Sequence, residues 1–281
     1  MIFSKMRNSI LFLLAVICNS AMSGQSFEQV KSKLSELMTM AAEEYDYAKK
    51  QEYVASFSEL LQKTLKTPNS LSLSFDSIPH LNVISSKDGV LRIFSWGAPK
   101  GDGEYSYSAI VQRRMGDQKS PLSDIYVMND VKQNVHKPEE EILHYPDWYG
   151  CLYSDVIETQ DMGKTYYTLL GLDFNNGISH KKYIDVLTFN PQGIPLFGAP
   201  LFVDGTGIKS RIVFEYSARS VMHLKYHPDV EKIVFNWLYP IVPEKKHDKS
   251  YYVSDATYDG YEFRLGKWMK VKNILLKKKR F

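Results

Sequence analysis

The chain has 281 residues, 44% of them hydrophobic and 24% charged, with a formal net charge of +3. This is the composition of a folded globular protein with a sizeable core, and it excludes a disordered or low-complexity chain. So small a net charge gives no support to nucleic acid as a partner.

Lys5 and Arg7 precede an unbroken apolar run, Ile10 to Cys18, and Ala21-Met22-Ser23 places small residues before Gly24. That order of basic start, apolar run and small-residue site is an export signal over residues 1–23. The run falls short of the ~20 residues a membrane-spanning helix needs, so the mature chain is expected to carry no transmembrane span. Ile17 is too large for the position before a lipidated cysteine. The expected location is periplasmic, outer-membrane-associated or secreted. Of the two cysteines, Cys18 goes with the leader and Cys151 stands alone. An internal disulfide is thereby excluded, and Cys151 reads as a small buried hydrophobe in a strand.

Residues 24–69 read as helical. Ser26 and Gln29 have capping-box form, and Phe27, Val30, Leu34, Leu37, Met38, Ala41 and Tyr45 recur at helical spacing. Val54, Phe57, Leu60, Leu61 and Leu65 continue the stripe until Thr67-Pro68-Asn69. One long helix and a bent pair both fit this pattern, with the stripe expected to pack on a sheet.

Residues 70–281 read as a single antiparallel, multi-stranded β domain. Roughly a dozen short strands run from Val90–Trp96 to Trp268–Val271, separated by connections too short for parallel crossovers. A meander of that length must manage its edges as a barrel, a sandwich or a propeller-like array. In Cys151–Glu158, alternation puts Cys151, Tyr153, Asp155 and Ile157 on one face. Asp88-Gly89 before Trp96 is echoed by Asp259-Gly260 before Trp268, without the fixed period of a true repeat. From Arg264 to the end there are eight basic residues and no acid. The rest of the mature chain is therefore net acidic, and the basic tail reads as a solvated terminus able to meet anionic envelope material.

Several segments together resemble a family of exported proteins from Bacteroidota-type bacteria. They are Leu71 to Trp96, Trp148-Tyr149-Gly150, Tyr167-Thr168-Leu169-Leu170-Gly171, Lys181 to Leu187 and Phe197-Gly198-Ala199-Pro200, then Ser254-Asp255, Tyr258-Asp259-Gly260-Tyr261 and Gly266-Lys267-Trp268. The resemblance implies export and one continuous domain, and no particular chemistry. Where the family pattern often carries an Asp-His pair, this chain has Asn236-Trp237, which weakens a catalytic role there.

Asp255, Asp259 and Glu262 form the nearest approach to a catalytic carboxylate cluster, of the kind that divides acid and base roles on a glycosidic bond. Tyr258-Asp259-Gly260-Tyr261 equally has the form of a tight turn between strands. Trp96, Trp148, Trp237 and Trp268 are candidates for an aromatic face that binds a sugar or a peptide. Asp173 to Ser179 has a superficial calcium-loop look, but its Gly is misplaced and no Glu closes it, so a hairpin turn is favoured. His223 and His227 would align on a helix, but their surroundings read as a strand, where that spacing loses its meaning. A Cys151–His144 pairing lacks any orienting third group. No zinc-protease, nucleotide or hydrolase-elbow motif is present, so no cofactor and no metal are expected. The expectation is a non-catalytic envelope protein with a binding or structural role, its partner an envelope glycan or another envelope protein. The alternative is a hydrolase of envelope glycan or peptide built on the three acids.

Overall fold

The computed structural model describes residues 27–101 and 103–276. The export signal expected over residues 1–23 and the last basic run lie outside the described residues. The chain forms two compact units, residues up to Thr64 with Leu73–His80, and Leu65–Ser72 with Leu81 onward.

The first unit holds a pair of helices, α1 over residues 27–43 and α2 over Tyr47–Leu65. Asp46 separates them: its Oδ1 accepts the Lys49 backbone N–H at 3.0 Å, an N-cap that starts a new helix rather than continuing the old one. The periodic residues Leu34, Leu37, Met38 and Ala41 of α1, and Val54, Phe57 and Leu61 of α2, are buried. Phe27 and Phe75 meet edge to face within the same unit.

Among the described residues the second unit carries seventeen strands: β1 Leu81–Ser85, β2 Leu91–Pro99, β3 Tyr105–Arg114, β4 Ser123–Asp130, β5 Leu143–His144, β6 Asp147–Trp148, β7 Leu152–Asp161, β8 Lys164–Asp173, β9 Ser179–Phe189, β10 Pro195–Phe197, β11 Phe202–Val203, β12 Ile208–Lys209, β13 Ile212–Ser217, β14 Leu224–His227, β15 Lys232–Pro240, β16 Tyr252–Arg264 and β17 Lys267–Val271. The architecture is mainly β behind two N-terminal helices, as the sequence predicts. The strands divide into three sheets: β1-β2-β3-β4-β6, then β5-β10-β9-β8-β7 with β13 also on β9, then β12-β11-β17-β16-β15-β14. Neighbours pair antiparallel except β4 with β6 and β11 with β17, which run parallel through two-residue contacts.

The middle sheet is buried on both faces. Tyr167, Leu169, Tyr183 and Leu187 enter a first core with Ile93, Ala109, Val111 and Trp148. Leu170, Ile184 and Val186 enter a second with Phe202, Ile233, Phe235, Tyr261 and Trp268. That is why Tyr167–Gly171 of β8 and Tyr183–Thr188 of β9 are buried at every residue rather than at alternate ones.

The alternation proposed for Cys151–Glu158 is corrected by a bulge. Tyr153 pairs with Gly171 but Asp155 pairs with Leu170, leaving Ser154 as the extra residue. Faces invert beyond it, so Tyr153 and Val156 belong to the first core and Ile157 to the second. Cys151 itself lies just ahead of β7, not within a strand.

Candidate functional site

The three candidate acids all fall on β16, and the strand keeps them apart. Ser254 pairs with Leu238 and Tyr258 with Asn236, so residues 255–257 bulge opposite Trp237 alone. In that bulge Asp255 turns back on its own chain, its Oδ1 accepting the Thr257 backbone N–H at 2.8 Å and the Thr257 hydroxyl at 2.6 Å. Beyond it, Asp259 pairs with Phe235 and lies buried on the face that carries Tyr261. Glu262 stands three residues on, hence on the opposite face. It is held there by Lys232 at 3.2 Å and Arg264 at 2.6 Å. The Arg264 hydrogen bond keeps the Glu262 pKa below the usual carboxylate value, with burial opposing and Lys232 assisting.

Tyr258-Asp259-Gly260-Tyr261 is therefore no turn, and the turn reading is overturned. Gly260 sits mid-strand, paired with Val234 and Val271, and is not among the glycines with positive φ. Its role is close approach: a Cβ there would collide with the Ile233 carbonyl oxygen and the Ile274 side chain. Asp88-Gly89, by contrast, does form a turn, with Gly89 at φ 69°. The resemblance between the two segments is thus one of letters, not of structure.

Three of the four candidate tryptophans are core residues. Trp96, Trp148 and Trp268 are each no more than 1% exposed, which removes them from any binding face. Trp148 donates through Nε1 to the Tyr153 hydroxyl at 2.9 Å, and Trp268 to Thr168 Oγ1 at 2.9 Å. Trp237, at the β15 bulge, is 45% exposed. The Lys270 ammonium lies 5.7 Å from the Trp237 ring centre and 6.0 Å from that of Phe235. Asp259 completes this rim. Its Oδ1 accepts the Asn273 backbone N–H, while Oδ2 is 4.0 Å from Lys270 and has no hydrogen-bond partner. The structure thus joins one candidate acid to one candidate tryptophan, through a lysine that sequence reasoning did not single out.

The strongest polar cluster lies in the first core and was not foreseen. Asp173 Oδ2 accepts from Lys132 Nζ and from the Tyr183 hydroxyl, each at 2.9 Å, and Oδ1 accepts the Asn175 N–H at 2.7 Å. Both its oxygens are engaged inside the fold, which favours the hairpin turn over a calcium loop. Close by, Arg211 Nε stands 3.0 Å from Asp185 Oδ2, both side chains buried, with the guanidinium 5.2 Å from the Tyr149 ring centre. Burial raises the Tyr149 pKa to about 12, with Arg211 opposing. Cys151 is fully buried beside this network. Burial first, then the carboxylates of Asp185 and Asp173, push its thiol well above the usual value, and His144 is exposed. These are the features of a structural thiol and not of a nucleophile. The cluster orders the core by pairing charges that would otherwise be costly there.

The surface grooves among the described residues include two of small-ligand size. One, of about 540 Å³, is lined by Ile178, Arg219, Ile241, Asp248, Tyr251 and Val253 among others. The other, of about 320 Å³, lies between Lys137–Glu140 and Glu215 with Lys249. Both volumes fall in the range of small-ligand sites. Among the described residues no three His, Cys, Asp or Glu side chains gather as a metal site, and no helix is long and apolar enough to cross a membrane. The reading of His223 and His227 as unrelated is overturned: their Nε2 atoms stand 3.0 Å apart. No protein-family model, characterised protein or solved structure matches this chain.

Proposed function

We infer that this is an exported, non-catalytic protein of the bacterial envelope with a binding or structural role toward an envelope glycan or another envelope protein. The observation that carries the reading is the divergence of the acids on β16. Glycoside hydrolysis needs two carboxyl groups facing one bond from about 5–9.5 Å apart. Here one acid caps its own bulge, one is buried, and one is ion-paired on the opposite face. Trp237 adds positive support, because a half-exposed indole beside a cation suits either the apolar face of a sugar or a protein hot spot. Export rests on the leader sequence.

The test is capture from native envelope, with glycan-array binding alongside, by the mature protein and by Trp237→Ala. Retention by the wild type and its loss in the variant is the expected result. Turnover of envelope glycan or peptide that disappears in a folded Asp259→Asn protein would replace this reading with the hydrolase. Mass spectrometry of the exported chain is expected to show Gly24 as its first residue. Retained Met1 or recovery from the cytosol would end the export proposal.

A further inference from the structure

His223 stands just ahead of β14 and His227 ends it, with Lys225 between them. β14 is the outermost strand of the third sheet, four residues long and paired on one side only, with β15. Four residues along a strand separate Cα atoms by about 13 Å, so two imidazoles at that spacing meet only if both lean inward. They do, and they meet head-on. The Nε2 atoms are 3.0 Å apart and the ring centres 5.3 Å, so both nitrogens lie on the line between the rings. That is a ring N–H···N hydrogen bond, which needs one nitrogen bearing a hydrogen and the other bare. It braces the chain entering β14 against the residue that ends it. The entry is also fixed at the backbone: the His223 N–H donates to Asn236 Oδ1 at 2.6 Å, while Asn236 Nδ2 donates to the Asp255 carbonyl at 2.9 Å.

We propose that this pair is a two-proton brace that keeps β14 on the sheet near neutral pH and releases it in acid. A first proton is shared along the 3.0 Å line as a charge-assisted bond. A second leaves each Nε2 bearing its own hydrogen, so two donors and two positive charges face each other with no acceptor between them. The surroundings add cations. Lys225 lies on the same segment, and Lys182 of β9 donates to the Met222 carbonyl at 2.7 Å, one residue before His223. Lys232 of β15, opposite His227, is paired with Glu262 of β16 at 3.2 Å. Tyr258 of β16 offers His223 only an uncharged ring edge, the centres 5.7 Å apart. Asp155 of β7 faces Lys225, and Glu231 in the turn after β14 faces Tyr226. Among the described residues no carboxylate forms an ion pair with either histidine. Burial, then His227, Lys182 and Lys225, accordingly hold the His223 pKa below its ordinary 6.5. The released strand therefore binds the proton more readily than the closed one, so the closed form is favoured above pH 6.5 and loses that advantage as pH falls below it. With the His223 backbone fixed by Asn236, separating the two charges falls to β14. Its release uncovers the β15 edge at Lys232–Phe235, two residues before Trp237.

Nitrogen-15 magnetic resonance on the full mature chain tests this. Near neutral pH the expected spectrum shows scalar coupling between the two Nε2 atoms across the hydrogen bond. On acidification to about pH 5 that coupling is expected to vanish, while amide protection of Leu224–His227, corrected for the intrinsic exchange rate, falls by at least about tenfold. In the double variant His223→Gln with His227→Gln, protection is expected to change by less than about twofold over the same range. Absence of the coupling in the wild type near neutral pH would overturn the proposal. So would coupling that vanishes while β14 keeps its protection, because the rings would then turn to solvent without moving the strand. Both outcomes are read on the wild type and stand even if the variant fails to fold. An undiminished pH response in a folded double variant would likewise overturn it, by placing the titrating group elsewhere.

Discussion

Across the β7–β8 ladder, the missing side chain of Gly171 makes room for the Cys151 sulfur. A Cβ built at Gly171 would lie 2.6 Å from Cys151 Sγ but 3.5 Å from Cys151 Cβ, so the sulfur alone creates the conflict. Gly171→Ala should therefore cost about 1–3 kcal/mol by overpacking. Cys151→Ala alone should cost about 1 kcal/mol for the lost contacts. The double variant is expected to be more stable than Gly171→Ala, since removing the sulfur opens the space the new methyl needs. Urea midpoints of the three variants decide it, and simple additivity would show that the clash is relieved elsewhere. The thiol is expected to react with aromatic disulfide reagents only as the protein unfolds. That Cys151 is a buried hydrophobe could be read from its solitude in the sequence. Its fit against Gly171 could not, because no local pattern marks a glycine kept for a neighbour's sulfur.

At the scale of elements, the same ambiguity of glycine governs the hairpins. Asp259-Gly260 has turn chemistry in the sequence yet lies mid-strand, because its glycine serves the approach of the Ile233 carbonyl. The actual turn between β16 and β17 is Leu265-Gly266, at φ 50° and 72°, and Met162-Gly163 between β7 and β8 matches it at 47° and 77°. Two-residue loops with both central residues at positive φ are type I′ turns. Leu and Met are poor first residues for that turn, since a Cβ in the left-handed region is strained and Asn tolerates it better. Met162 is 99% and Leu265 101% exposed, so neither earns its place by packing. Leu265→Asn and Met162→Asn should each stabilise the protein by about 0.5–1 kcal/mol. Leu265→Val should do the reverse, through its β-branched side chain. Thermal melts that showed the Asn variants less stable would mean that these loops are not limited by backbone strain. A sequence reader who looks for Asn-Gly and Asp-Gly misses both turns, because they carry apolar letters of the kind strands use.

For the whole molecule, the stacking of sheets is what the sequence concealed. Short strands and short connections made a mainly β, antiparallel fold legible, because both are local properties. Which strands share a sheet is not local, and the bulge at Ser154 reverses the faces of β7 partway along. The candidate site suffered in the same way. Acids close in sequence were separated by pleat and bulge, while Trp237, Lys270 and Asp259 were joined by pairing across three strands. The middle sheet offers a direct test of the layered arrangement. Leu169 and Leu170 are consecutive, fully buried, and face opposite cores. Leu169→Ala should open a cavity beside Trp148, and Leu170→Ala one on the side of Trp268, each costing about 2–5 kcal/mol. Because one strand serves both cores, loss of either should melt the two together. Tryptophan fluorescence and far-ultraviolet circular dichroism are expected to report one coincident transition in each variant, displaced to lower denaturant. Separate transitions, with one core surviving the collapse of the other, would show that the sheets are independent layers and that β8 does not couple them.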